Sequence, residues 1–142
     1  NSTVTKHIVK RCFLLFLFGV ALHCIYNNVL VWELWNVLTQ LSFTILIAYG
    51  IMNMSHRNQI FISVGLLLLT EILYRAYNPS GPYVQNHESF GSFIDMLVMG
   101  KVNSGYWVFI NFIPTAAHTI WGVICGQLLL SDKHPKEKLK RL

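Results

Sequence analysis

The sequence predicts an all-α protein: a polytopic bundle of about four transmembrane helices with one short amphipathic helix at the membrane interface. Two observations predict this fold. Of the 142 residues, 54% are hydrophobic and only 12% are charged, whereas a soluble domain carries roughly 25% charged residues. The charges also collect between long apolar stretches, and each stretch has about the 20 residues that a membrane-spanning helix needs. Residues 1–142 are therefore expected to form a single membrane domain.

In the first predicted span, the basic residues Lys6, Lys10 and Arg11 precede the apolar run Cys12–Leu22. A basic segment before an apolar run is also typical of a signal peptide, but Ala21-Leu22-His23 lacks the small residues of a cleavage site, so a span is favoured. A short turn, Asn27-Asn28, should join the first two spans into an antiparallel hairpin. The four predicted spans are residues 7–26, 29–52, 59–77 and 106–130.

Residues 78–105 form the one long predicted loop, which opens with the helix-ending sequence Asn78-Pro79-Ser80-Gly81-Pro82. Within this loop, apolar residues recur at the spacing of a short amphipathic helix. These residues are Phe90, Phe93, Ile94, Leu97 and Val98. The predicted helix is too short to span a bilayer, so we expect it to lie in the membrane interface.

The distribution of Lys and Arg predicts the orientation of the spans. With both termini and the loop at residues 53–58 on one side, that side carries nine basic side chains, and the other side carries only Arg75 and Lys101. Basic residues favour the cytoplasmic side. The sequence therefore predicts a cytoplasmic N-terminus and a cytoplasmic basic tail, residues 131–142.

Polar residues inside the spans are costly in hydrocarbon, so their placement is informative. In the second and fourth predicted spans they repeat at helical spacing, which leaves two interpretations open: polar helix packing or a shared substrate cavity. The residues predicted to line such a cavity are Glu33, Asn36, Gln40, Glu71, Asn111, Thr115 and His118. Of these, His118 is the one candidate for catalysis, because a histidine in mid-membrane can act as a base or proton relay.

Other ligands are not expected. The three cysteines, Cys12, Cys24 and Cys125, form no CxxC pair, and His23 beside Cys24 is too little for a metal site. The net charge of +5 comes from residues that flank the spans, which argues against nucleic-acid binding. No nucleotide-binding or hydrolase motif is present in the sequence.

Three stretches in this order carry a family resemblance. They are Lys6–Gly19, Val37–Thr44, and Phe93–Gly100 followed by Pro114-Thr115-Ala116 and Trp121–Gly126. Their order and spacing resemble the heparan-α-glucosaminide N-acetyltransferase family and its bacterial relatives of unassigned function. The chain resembles the middle of the family's domain. It differs where family members often have Gln-Arg instead of Thr39-Gln40, and Asp-Pro-Glu-Gly instead of Asn103-Ser104-Gly105-Tyr106.

The resemblance implies part of an integral membrane acyltransferase, expected in a bacterial inner membrane. Such a protein would take an acetyl or acyl group from acetyl-CoA, a co-substrate that is not tightly bound, and pass it across the membrane to a sugar or glycan acceptor. This segment alone would be inactive. The expected partners are the lipid bilayer, the remaining spans of the full-length protein, and a second copy of the chain. The alternative is a non-enzymatic membrane protein with the same bundle, either a small transporter or an assembly partner.

Overall fold

A computed structural model of the chain describes residues 2–84 and 87–131. Across these residues all regular structure is helical, as predicted. The helices are α1 (Ser2–Asn27), α2 (Val37–Ile51), α3 (His56–Tyr77), α4 (Phe90–Met99) and α5 (Phe112–Leu130), with a 3-10 turn at Phe109–Asn111 before α5. The predicted basic tail lies outside the described residues, apart from Ser131.

Three helical segments are long and apolar enough to cross a membrane: Ser2–Asn27, His56–Tyr77 and Phe109–Leu130. Large apolar side chains cover their outer faces, and Phe18 on α1 and Phe61 on α3 are exposed. Both features are typical of a membrane protein. Helix α2 has 15 residues and is therefore only about 22 Å long, so the predicted count of four spans remains a prediction.

The second predicted span was wrong in its first part. Residues 29–36 are not helical, and α2 begins only at Val37. The Asn36 side chain caps this helix by accepting a hydrogen bond from the Leu38 amide at 2.8 Å. Because Glu33 and Asn36 precede the helix, they share no helical face with Gln40, and the predicted polar stripe is broken there.

The long loop and the start of the last helix also differ in part from the sequence prediction. Helix α4 is confirmed, with Ser89 as its N-cap and Gly100 ending it at a φ of 69°. Its buried face, however, is formed by Gly91, Ser92 and Asp95, whereas Leu97 is exposed. An apolar face that points away from the protein suits a helix lying in a membrane interface. Residues 106–108 are not helical, although the fourth span was predicted to begin at 106.

The helices pack in the order α1, α2, α5, α3. Small and hydroxyl residues allow this close approach: a Cβ on Gly19 would lie 2.6 Å from the Thr39 side chain, and Ala116 and Ala117 are fully buried. At one end, the Thr5 and Tyr49 hydroxyls lie 2.7 Å apart, so the start of α1 meets the end of α2. We call this the basic end and the opposite one, which holds α4 and the start of α5, the loop end.

Candidate functional site

A cavity of about 190 Å³ lies at the loop end of the bundle. It is bordered by the end of α3, residues 83–84 and 87–89, the start of α4 and the segment that leads into α5. Its lining is mostly aromatic and uncharged polar: Tyr74, Tyr83, Val84, His87, Ser89, Ser92, Tyr106, Val108 and Asn111. Of the residues predicted to line a cavity, Asn111 is the one that lies in this wall.

Several polar groups of the cavity wall have no protein partner. Tyr74 is only 5% exposed, yet its hydroxyl makes no hydrogen bond to any residue in the described ranges. The Asn111 side chain likewise caps no helix, and neither its amide nor the Tyr106 hydroxyl hydrogen bonds within the described part of the chain. Tyr74 is buried, Asn111 is half-buried and Tyr106 is exposed, so the polar groups of all three are available to a ligand or water.

Glu71 lies behind the cavity wall. Its carboxylate accepts a hydrogen bond from the Tyr83 hydroxyl and pairs with Arg75 one helical turn away. The Tyr83 ring in turn stacks on Tyr74 at a centroid distance of 5.1 Å. The hydrogen bond to Glu71, followed by burial, raises the pKa of Tyr83. Glu71 therefore holds a wall residue in place and does not line the cavity itself.

Two residues of the wall adopt a strained backbone conformation. His87 and Tyr106 have φ angles of 63° and 61°, in the left-handed region that bulky side chains rarely occupy. Their rings stack at a centroid distance of 4.7 Å. Such strain persists where the surrounding structure fixes it, and it concentrates at binding sites.

A second polar cluster at the loop end has its side chains hydrogen bonded to one another. The Glu33 carboxylate accepts hydrogen bonds from Lys101 Nζ at 2.7 Å and His23 Nδ1 at 2.6 Å. Its side chain is only 13% exposed. Burial acts to raise the pKa of Glu33, but the hydrogen bonds and charges of Lys101 and His23 together lower it below its ordinary value. Glu33 thus joins α1 to the segment before α2 and to the segment after α4.

Asp95 continues this group and was missed by the sequence analysis. Its carboxylate is fully buried and accepts hydrogen bonds from Trp35 Nε1 at 2.7 Å and from the Phe109 amide at 2.9 Å. Burial raises its pKa, and these two hydrogen bonds oppose that effect. Lys101 lies 6.0 Å from the Trp35 ring. We call His23, Glu33, Trp35, Asp95 and Lys101 the anchor cluster.

The remaining predicted site residues lie apart from one another. Gln40 Nε2 donates to the Val108 carbonyl at 3.4 Å, and Thr115 is half-buried inside α5. His118 was predicted to face inward, but it is exposed, and its ring packs against the Trp121 ring at a centroid distance of 5.2 Å. The single shared cavity predicted for these residues is therefore not formed, because the polar stripe of α2 is interrupted and His118 points outward.

The described residues contain no group of three or more His, Cys, Asp or Glu side chains that could hold a metal ion. Comparison with known proteins gives no match to any family model, curated protein or solved structure.

Proposed function

We propose that the chain is part of an integral membrane acyltransferase that passes an acetyl or acyl group from acyl-CoA to a sugar or glycan acceptor. The proposal rests first on the ordered sequence stretches that resemble the heparan-α-glucosaminide N-acetyltransferase family. Under this proposal, the chain crosses a bacterial inner membrane four times, with both termini in the cytoplasm. The fourth crossing is assigned to α2.

The cavity at the loop end is the structural observation that carries this proposal. It has the aromatic rings, hydroxyls and amide that suit a sugar, with apolar faces to pack against and polar groups to hydrogen bond. Its volume of about 190 Å³ suits one sugar ring, since pockets for drug-sized ligands have roughly 300–1,000 Å³. In the proposed orientation it opens on the non-cytoplasmic side, where the acceptor would bind.

The outer face of α5 supports the proposed partners. His118, Gly122 and Cys125 are exposed on it, and a Cβ added at Gly122 or Gly126 would meet nothing within 4 Å. Small residues on an apolar helix favour close packing against another helix, and a histidine is costly against lipid. This face therefore suits the remaining spans of a longer protein or a second copy of the chain.

Acyl transfer by the full-length protein tests the proposal. Membranes that contain it should transfer labelled acetyl from acetyl-CoA to a sugar, and Asn111→Leu should lower the rate at least about tenfold through loss of acceptor contacts. Phe61→Leu, on the exposed face of α3, is the matched control and should retain activity. If no sugar or amino sugar in a test panel is acetylated, the proposed enzyme activity is rejected.

A separate experiment tests the topology. A reporter fused after Leu142 should read cytoplasmic, and one inserted after Pro82 should read non-cytoplasmic, because basic loops stay in the cytoplasm. The reversed pair of results would overturn the orientation and, with it, the acceptor side assigned to the cavity.

One observation favours the alternative of a non-enzymatic membrane protein. Glu33, Glu71 and Asp95 each have their carboxylate oxygens occupied by hydrogen-bond donors, so none of the three is free to act as a base at the cavity. A small transporter or an assembly partner needs no such base. Sugar binding without acyl transfer would support this alternative.

A further inference from the structure

We propose that the cavity at the loop end selects an uncharged, hydroxyl-rich ligand, such as a neutral sugar, and discriminates against sugars that carry an ammonium or carboxylate group. The binding claim stands on the cavity itself. Identifying the ligand as the acyl acceptor rests on the proposed function, and it would make the acceptor group a hydroxyl or another uncharged group.

The free polar groups of the wall are neutral donors and acceptors. The hydroxyls of Tyr74 and Tyr106 can each donate and accept one or more hydrogen bonds, and the Asn111 amide can do both. Tyr74 is nine-tenths buried with no partner for its hydroxyl in residues 2–84 and 87–131. A ligand hydroxyl, which is itself both donor and acceptor, would satisfy each of these groups.

The charged groups near the cavity are already occupied. Both oxygens of Glu71 are engaged, one by Tyr83 and one by Arg75. Glu88 is exposed and has a partner of its own. Since no carboxylate and no Lys or Arg of residues 2–84 and 87–131 lines the cavity, a charged ligand group would lose its hydration there without gaining a counterion from these residues.

Two stacked aromatic pairs complete the site. The Tyr74 and Tyr83 rings form one pair, and the His87 and Tyr106 rings form the other. Aromatic faces pack well against the C–H face of a sugar ring, and rings fixed by stacking lose little entropy on binding. His87 and Tyr106 have a left-handed backbone and are exposed, so the second pair is open to a ligand and can define its orientation.

Sugar binding to this chain in lipid nanodiscs tests the inference. Saturation-transfer NMR would compare methyl glucoside and N-acetylglucosamine with glucosamine at pH 6 and with glucuronate. We expect the two neutral sugars to bind and the two charged sugars to bind at least about tenfold more weakly, because of uncompensated desolvation. Equal binding of the charged sugars, or no binding of either neutral sugar, would overturn the inference.

Substitutions in the cavity wall test whether the sugar binds in this cavity. Asn111→Leu should weaken neutral-sugar binding roughly tenfold, and Tyr106→Phe, which removes only a hydroxyl, about three- to tenfold. Phe61→Leu should have no effect, and a retained thermal transition shows that each variant is folded. Unchanged binding in folded Asn111→Leu and Tyr106→Phe would contradict the inference.

The outcome separates binding from catalysis. If neutral sugars bind as expected but the full-length protein transfers no acyl group, the inference holds and the proposed enzyme fails. If the protein acylates an amino sugar that binds with its ammonium group in this cavity, the enzyme holds and the inference fails.

Discussion

The anchor cluster and the cavity, both at the loop end, differ in whether their polar groups have partners within the protein. In the anchor cluster, the two carboxylates, Glu33 and Asp95, are fully engaged by donors at 2.6–2.9 Å. In the cavity, the Tyr74 hydroxyl and the Asn111 amide have no protein partner among the described residues. The anchor cluster therefore contributes to folding, whereas the cavity wall leaves polar groups available to a ligand.

This difference also appears in the backbone. Asp95 sits in the regular helix α4, on the buried face that it shares with Gly91 and Ser92. At the cavity, by contrast, His87 and Tyr106 are held in left-handed conformations. Stability and binding capacity thus depend on different residues at the loop end of the bundle, and substitutions should separate the two properties.

The largest loss of stability is expected for Asp95→Ala. It would leave the buried Trp35 Nε1 and the Phe109 amide without an acceptor, at a cost of roughly 2–4 kcal/mol in unfolding free energy. Asp95→Asn keeps one acceptor oxygen and should cost less. Thermal unfolding in detergent would measure both, and an unchanged Asp95→Ala transition would show that the anchor cluster is not a scaffold.

Glu33→Gln should have the next largest effect, about 1–2 kcal/mol at pH 7, because the charge-assisted bonds from Lys101 and His23 are weakened. Since the folded pKa of Glu33 is lowered, its contribution is present above the ordinary glutamate pKa and lost as the pH falls through the lowered value. The difference in stability between wild type and Glu33→Gln should therefore shrink as the pH falls below about 4.5. A difference that grows in acid would contradict the assignment of Glu33 as an ionised anchor.

Gly91→Ala tests the shape of the cavity wall. The added Cβ would lie 2.8 Å from Val108 Cγ1 and would meet the Tyr74 hydroxyl, so it should cost about 1–3 kcal/mol through overpacking and also weaken sugar binding. Gly65→Ala on α3 is the matched control, because its Cβ would meet nothing within 4 Å. It should be neutral or slightly stabilising. Equal effects of the two substitutions would argue against a tightly packed wall.

Tyr106→Gly should change stability least. Glycine adopts a φ of 61° without strain, which offsets its entropic cost, so the net change should stay within about 1 kcal/mol. Sugar binding, however, should be lost together with the ring. Asn28→Gly, at another left-handed position with a φ of 51°, provides the control and should leave binding intact. Sugar binding that is retained in Tyr106→Gly would show that the stacked His87 and Tyr106 rings do not contribute to the binding site.

The helices were predictable from the sequence because their signals are local. Helix α4 follows from the spacing of Phe90, Ile94 and Leu97, and the long apolar runs give α1 and α3. The start of α2 was not predictable in this way, since residues 29–36 are apolar enough for a helix and only the capping by Asn36 marks where it begins. Helical spacing therefore placed Glu33 on a face that the structure does not form.

The binding site was less predictable because it is assembled from distant segments. Asn111 was identified through its polar character in an apolar run, but Tyr83, His87 and Tyr106 lie in loops without periodicity. Asp95 could have been identified from one feature of the sequence: it is a carboxylate inside the short apolar helix α4, and such a group needs a partner when it is buried. Its partners, Trp35 and Phe109, lie 60 and 14 residues away in the sequence, in segments that no helical spacing relates to α4.

Ligand-induced stabilisation tests the distinction between anchor cluster and cavity most directly. Thermal unfolding would be followed with and without saturating N-acetylglucosamine in wild type, Asn111→Leu and Glu33→Gln. Ligand that binds only the folded state raises its stability, by about 2.7 kcal/mol at a concentration 100 times the Kd. We predict that the sugar stabilises wild type and Glu33→Gln by a similar increment, and that the tenfold weaker Kd of Asn111→Leu cuts its increment to about 1.4 kcal/mol. A full increment in Asn111→Leu, or its loss only in Glu33→Gln, would contradict the account.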